Sequence, residues 1–475
     1  MIQLPEPFEM RMKMILGPEY PAFSHSLSSA VSHSIRINPK KIRKSDNHTP
    51  INHCSTGLYL QERPIYTLDP LFHSGAYYVQ ESSSMFLEQF ILLRNKKNLK
   101  VLDLCAAPGG KSTHLSSLLS EDSLLVSNEV IHSRGQVLSE NLKKWGNPNV
   151  VVTSNDPKDF SRLPGFFDII VVDAPCSGEG LFRRDASATD EWSESNASHC
   201  ALRQKRILAD VWPALAEGGM LVYSTCTYNP EENEENIAWL SNFAKVEAIS
   251  LHLPEDWGIR TIDAGRIPGY RFYPHKVRGE GFFIAAVQKN ETMPGKLNAR
   301  SKASLAVAGK PELNVLGNLL QNQPLTLLKF EESLLALPAS LITAFEQVKS
   351  NLRIVHAGVK IGEIVRDSLN PAHELAVSNI YNKSHFPQVQ LTLEQALSYL
   401  KKEDFQLDFI EKGWNLLTYN GHSIGWAKNI GNRFNNSYPK EWRIRMSTTE
   451  YTGNRLLEEA AKFPFEPANQ HRHET

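Results

Sequence analysis

The chain has 475 residues, which at roughly 150 residues per domain points to two to four domains rather than one core. Its 51 Lys and Arg against 52 Asp and Glu leave a formal charge of −1, so a polybasic, histone-like protein is excluded and any nucleic-acid contact must come from local patches. With 41% hydrophobic and 22% charged residues, the composition is that of an ordinary globular protein, neither disordered nor collagenous.

The opening MIQLPEPFEMRMKMILGPEY has no apolar run of signal-peptide length, and nothing later is apolar for the roughly 18 residues a bilayer span needs. A cytoplasmic protein is expected. Within residues 1–95 the stretch SIRINPKKIRK carries Arg36, Lys40, Lys41, Arg43 and Lys44 without an acid between them. Such a run suits phosphate contacts or simply a solvated face.

Residues 96–295 alternate short apolar runs with helix-like stretches. Strands are predicted at 101–104, 124–128, 150–153, 168–173, 220–224, 246–251 and 282–287, and helices at 111–120, 133–145, 201–214 and 231–243. Seven strands with crossover helices predict an α/β, doubly wound, mostly parallel sheet, whose ligands sit beyond the carboxyl ends of the strands. The polar, Gly- and Pro-punctuated segment 291–312 reads as a linker, so residues 296–385 form a linker and intermediate domain that carries no functional signal.

Residues 386–475 read as a small β domain. A helix-like LTLEQALSYLKK precedes strands predicted at 414–419, 425–428 and 442–446. Lys428, Arg433, Lys440, Arg443 and Arg445 are interleaved there with Trp414, Trp426, Tyr438 and Trp442. Cations beside aromatic faces suit phosphate contacts and base stacking, although a packed aromatic core gives the same pattern.

The run VLDLCAAPGGKSTHL takes a buried strand into a Gly-rich turn and then a helix. Cys105, Ala106, Ala107, Pro108, Gly109, Gly110 and Lys111 form this turn, whose amides favour an anion or cofactor. It falls one residue short of a phosphate-binding loop, because Cys105 stands where the first Gly belongs. A nucleotide hydrolase is therefore a rival, with IIVVDAP supplying a magnesium carboxylate. Against it, Glu129 ends the second strand, where a carboxylate accepts ribose hydroxyls. Asp156 follows the third, placed for an adenine amino group. Loop and acids together outline an adenosine.

Five cysteines, Cys54, Cys105, Cys176, Cys200 and Cys226, form an odd set without C-x-x-C spacing, which argues against a disulfide scaffold and against a zinc site, so no metal is expected. Cys54 and Cys200 lie in no motif and read as packing. Cys176 follows strand four in DAPCSGEG, and Cys226 follows strand five in STCTYNPEENE. Those strands are expected to be neighbours, so the two thiols should converge in the cofactor crevice. A pair of thiols there suits methyl transfer to a pyrimidine carbon, which a thiolate must first activate by adding to the ring.

CAAPGGK, DAPCSGEG and STCTYNPEENE, in that order, resemble the signature loops of the Sun-type RNA (cytosine-5) methyltransferases, over residues 77–285. The resemblance implies a Rossmann-like S-adenosylmethionine (SAM) methyltransferase fold. SAM would be held by Cys105 through Lys111, Glu129, Asp156 and Asp173, the last facing either the methionyl end or the target base. It also implies Cys226 as nucleophile and Cys176 as the group assisting product release. The residues alone leave those roles open, since DNA cytosine methyltransferases use a Pro-Cys thiol, here Pro175-Cys176.

Chain length and the segment WNLLTYNGHSIGWAKNIGNRFNNSYPKEWRIR resemble a bacterial subgroup of that family with a PUA-like RNA-binding domain. The likeness implies action on the cytosine at position 1407 of 16S ribosomal RNA within the small subunit; a monomer is expected. Residues 1–95 would then be an RNA-binding extension. The cations at 36–44 and 428–445 would bracket the RNA from either side of the catalytic sheet, with Arg183 and Arg184 on flanking phosphates. A transfer RNA substrate, a phosphate-loop NTPase and a vestigial RNA-binding assembly factor are the alternatives.

Overall fold

The computed structural model describes residues 3–43, 48–94, 96–185, 187–292, 305–320, 324–407, 411–447 and 451. All seven strands predicted for the catalytic unit are present. Parallel pairing runs through Leu215–Thr225, Phe167–Asp173, Lys100–Asp103, Leu124–Asn128 and Val150–Thr153, in that spatial order. Phe282–Lys289 adds antiparallel to Leu215–Thr225, and Val246–Ala248 pairs with its far end. Runs such as Phe167-Asp168-Ile169-Ile170-Val171-Val172 are apolar almost throughout because helices cover both faces of this sheet.

The sheet is wider than the sequence suggested, with ten strands. Pro268–Phe272 and Arg260–Asp263 extend one side antiparallel. On the other side, Ile354–Ala357 pairs antiparallel with Val150–Thr153. This last strand comes from the intermediate segment, so that segment is part of the catalytic sheet as well as carrying its own four strands, Leu325–Phe330, Ser333–Pro338, Val359–Val365 and Ser368–Pro371. Most of the predicted linker, residues 293–304, lies outside the described residues.

The N-terminal part builds an antiparallel sheet in the order Thr49–Ile51, Cys54–Leu60, His33–Ile37, Tyr77–Val79. Its two leading helices, Glu6–Leu16 and Tyr20–Leu27, plant Phe8, Met12, Phe23 and Leu27 against Phe182, Trp192, Tyr228 and Tyr273 of the catalytic unit. Each such fully buried side chain contributes roughly 1.5–3 kcal/mol. The C-terminal part has strands Gln388–Gln390, Gly413–Tyr419, His422–Asn429 and Phe434–Asn436. Residues 442–446 form no strand, contrary to expectation; Trp442 instead packs edge-on against His373.

The two terminal parts share one hydrophobic core. Ile35, Leu58, Leu60 and Tyr77 pack with Leu397, Tyr399, Leu417 and Ile424, and His73 Nδ1 lies 3.0 Å from the Tyr438 hydroxyl. They therefore form one block and do not bracket the catalytic sheet from opposite sides. Tyr438 is buried in this shared core and Trp426 in the core of the intermediate segment, so neither offers a base-stacking face, whereas Trp414 and Trp442 are only partly buried.

Three buried histidines make stability acid-sensitive. Burial above all pushes His73 down to about 3 and His114 and His422 down to about 4. All three remain neutral when folded at pH 5, whereas in the unfolded chain they gain protons below about 6.5. Stability is thus full above that pH and falls by about 1.4 kcal/mol per pH unit per histidine below it. The urea midpoint should drop steeply from pH 7 to pH 5; a flat midpoint would mean these rings are not buried and neutral.

Candidate active site

The loop after Lys100–Asp103 turns at Gly109, whose φ of 117° is left-handed and excludes a side chain without strain, and helix Gly110–Leu118 starts directly behind it. Ala106 and Ala107 are buried and Cys105 is partly so, packed on the main core. Lys111 runs back to the end of the neighbouring strand and pairs with Asp173 at 2.8 Å. Burial pulls its ammonium pKa down, but the Asp173 carboxylate outweighs that, and the net shift is upward. Ser224 Oγ donates to the other Asp173 oxygen at 2.8 Å. The carboxylate is thus fixed from two sides.

Two residues were not singled out from the sequence. Asp103 is fully buried, with Oδ2 accepting from Ser112 at 2.6 Å and Oδ1 unpartnered. Burial, opposed by that hydrogen bond, pushes its carboxyl up to about 7. An acid inside the apolar run VLDL was the available signal. Val130, directly past Glu129, is a large apolar side chain left 47% exposed at a strand end.

Glu129 is 4% exposed. Its Oε1 accepts from the Ile131 amide at 2.9 Å and its Oε2 lies 3.7 Å from Arg134. Asp156 caps the short helix Pro157–Arg162 through the Lys158 amide and stands 4.0 Å from Arg206. The loop, the two acids, the exposed Val130 side chain and an orphaned buried carboxylate oxygen suit a nucleoside that carries an ammonium group.

The thiols converge as expected. Asp173 stands opposite Ser224 in the parallel register, so the two chains leave the sheet side by side, and Cys176 Sγ lies 3.0 Å from Cys226 Sγ. Both are free thiols. The Cys226 amide also points at Cys176 Sγ, at 3.3 Å. The hydrogen bond to Cys226 and then burial hold the Cys176 thiol well above its ordinary pKa.

Two buried carboxylates and one glycine that the sequence reading did not name lock these loops. Glu232 accepts from the Ser177 amide at 3.0 Å, from Ser177 Oγ at 2.5 Å and from Gln204 Nε2 at 2.8 Å. Glu179 takes Trp192 Nε1 at 2.9 Å and the Tyr228 amide at 3.1 Å, and pairs with Arg11 of the first helix. At Gly180 a Cβ would fall 2.4 Å from the Gly281 carbonyl oxygen and 2.8 Å from that of Cys226. Any larger residue there must push the two thiol loops apart.

This chain resembles known proteins along most of its length. Residues 90–288 match the model of 16S rRNA methyltransferase RsmB/F, residues 4–82 that of the N-terminal domain of 16S rRNA methyltransferase RsmF, and residues 386–444 the methyltransferase RsmF PUA domain. The ribosomal RNA small subunit methyltransferase F of Klebsiella pneumoniae is 30% identical over 93% of this chain and 96% of its own. The chain belongs to the RsmF methyltransferase family. The namesake enzyme of Aliivibrio salmonicida is 33% identical over 82% of this chain and 85% of its own. The crystal structure of NSun6 from Pyrococcus horikoshii with SFG shares the fold at a TM-score of 0.50 and 21% identity, across 60% of this chain and 98% of that one.

Within this family fold, several predicted RNA contacts are internal. Arg36 is fully buried and Lys41 donates to the carbonyls of Ser74, Lys144 and Val377. Lys40 pairs with Glu121, Arg43 is exposed, and Lys44 lies outside the described residues. Arg183 is held by Glu280 at 2.8 Å, which leaves Arg184 exposed beside it. Cys54 does more than pack, lying 3.6 Å from His114 Nε2, which in turn is 2.9 Å from Glu88. Cys200 is partly exposed on helix Glu194–Val211.

Proposed function

We propose that this protein methylates carbon 5 of a cytosine in small-subunit ribosomal RNA through a covalent cysteine–cytosine adduct. The observation that carries the reading is the pair of free thiols 3.0 Å apart at the ends of adjacent strands, beside the Lys111–Asp173 pair. A single nucleophile would need one sulfur; two at one edge suit a reaction that both makes and breaks a bond to the enzyme.

SAM would be held by Cys105 through Lys111, Glu129, Asp156 and Asp103, and would supply an electrophilic methyl carbon whose bond to the sulfonium sulfur breaks as carbon 5 attacks it. The chain's own groups do the remaining work. Cys226 adds as a thiolate to carbon 6, and the ring's electrons move to carbon 5, which becomes nucleophilic. Asp173, fixed by Lys111 and Ser224, hydrogen-bonds the pyrimidine edge and stabilises charge as the adduct forms. After carbon 5 has gained its methyl group, a base removes the proton left there and elimination expels the Cys226 sulfur. Cys176, kept protonated by its surroundings, donates its proton to the departing Cys226 sulfur 3.0 Å away. The target base must first leave its stack to present carbon 6.

Bisulfite sequencing of total RNA from cells with and without the gene tests this reading. One cytosine of 16S RNA should lose its protection when the gene is removed. Unchanged 16S protection, or a loss confined to transfer RNA, would overturn it.

A further inference from the structure

Beside the thiol loops lies a rim of cations that the site described above does not use. Arg63, Arg184 and Arg278 are all exposed, and none enters an ion pair among the described residues. They come from three separate segments that the fold ties together. Arg278 donates to the Leu60 carbonyl at 3.4 Å and sits over the Tyr59 ring, 4.3 Å from its centroid. Leu60 faces His33 across the N-terminal sheet, and Arg63 follows three residues on. Arg183 donates to the Gly279 carbonyl at 3.0 Å, which clamps the loop carrying Arg184 to the segment carrying Arg278. That segment runs into Gly281, whose carbonyl presses on Gly180 beside the Cys226 carbonyl. The rim is therefore anchored to the thiol loop itself.

The acids nearby are mostly committed. Glu280 is held by Arg183. Glu81 accepts from the amides of Ser83, Ser84 and Glu280. Asp185 accepts from the Ser187 amide and hydroxyl. Glu62, next to Arg63, is the exposed exception. The His33 imidazole registers the resulting field. Its pKa is lowered first by burial and then by Arg63 and Arg184 together, which places both guanidiniums within electrostatic reach of one ring.

We propose that Arg63, Arg184 and Arg278 form a phosphate-binding rim that grips the RNA strand adjoining the target base. Three guanidiniums on three segments fit a run of successive phosphates better than one isolated anion, and Arg278 is already pre-oriented by its ring and carbonyl partners. The proposal rests on the RNA reading above. It goes beyond that reading in releasing Arg183, which Glu280 holds, and in joining Arg184 to Arg63 of the N-terminal part and Arg278 as one flanking grip.

The test is filter binding of a 16S RNA fragment to the full-length protein across a salt series. The variant Arg63→Ala/Arg184→Ala/Arg278→Ala should bind about 10- to 100-fold more weakly near 0.15 M salt. Its slope of log affinity against log salt should be shallower by about two to three, one counterion per lost contact. SAM affinity should stay at the wild-type value, and the melting temperature should fall by no more than about 2 °C, because only the exposed Arg278 contacts to Leu60 and Tyr59 are lost. The triple Lys variant should recover most of the slope, because charge sets that quantity. A control removing Lys245, Arg266 and Lys349, exposed cations elsewhere, should leave it unchanged.

A wild-type slope in the triple Ala variant overturns the rim while sparing the RNA reading. Weakened binding to assembled subunits with unaltered binding to naked RNA overturns it in favour of a protein-docking face. A wild-type protein that binds no 16S RNA under any salt overturns both.

Discussion

Replacing Cys226 with alanine should abolish methyl transfer, by at least about 10⁴-fold, while leaving SAM binding near the wild-type level, because the uncatalysed addition to carbon 6 has no substitute nucleophile. Cys176→Ala should behave differently. Its sulfur lies 3.0 Å from that of Cys226, so the adduct still forms at Cys226, but release slows and a protein–RNA conjugate accumulates. The conjugate would appear as a shifted band on a denaturing gel and vanish in the double variant. The geometry favours this division of labour. The Cys176 thiol is held in the protonated form by its hydrogen bond to the Cys226 thiol and by burial, which outweigh the opposing Cys226 amide at 3.3 Å, and this suits proton handling over attack. A trapped conjugate in Cys226→Ala and none in Cys176→Ala would reverse the two roles.

The catalytic half of this molecule was readable in one dimension because its information is local. A strand buried on both faces must be apolar along its whole length, so VLDL and DIIVVD announce themselves. The residues that follow such strands are delivered to one edge of the sheet. Convergence of Cys176 and Cys226 follows from that rule alone. The edge strand Ile354–Ala357 was missed for the opposite reason. Four residues with a histidine among them carry no period, and what makes them a strand is the exposed edge of Val150–Thr153, about 200 residues away in the chain. The cation-rich SIRINPKKIRK failed as an RNA signal because charge in a sequence does not reveal direction. Arg36 and Lys41 turn inward, and their desolvation is offset by carbonyls and hydroxyls contributed by residues far along the chain. The same limit applies to Trp426 and Tyr438, since an aromatic beside a cation reads alike whether it faces RNA or a core. Glu179 and Glu232 escaped notice because an acid in a polar loop is usually solvated, and only the packed fold shows them buried among donors.

Arg36→Met should therefore behave as a cofactor-site defect rather than an RNA-binding one. The Arg36 guanidinium donates to Thr113 Oγ1 at 2.5 Å, to the Gly110 carbonyl at 3.4 Å and to Gln80 Oε1 at 3.0 Å, and lies 4.6 Å from the Trp145 ring centroid. Thr113 and Gly110 belong to the first turn of the helix that follows the CAAPGG loop. Burial lowers the guanidinium to about 10, which still leaves it charged at neutral pH, so its hydrogen bonds are charge-assisted. Methionine fills a similar volume but leaves the Gly110 carbonyl and Gln80 short of donors, a loss of about 2–4 kcal/mol. The melting temperature should fall, and SAM affinity should weaken by about tenfold as the loop loses its brace. Lysine should not rescue, since one ammonium cannot reach partners spaced for a planar fork. The salt dependence of RNA binding should be untouched, because a side chain with no exposed surface releases no counterions. A variant with wild-type melting and SAM affinity but a shallower salt slope would return Arg36 to the RNA-facing surface.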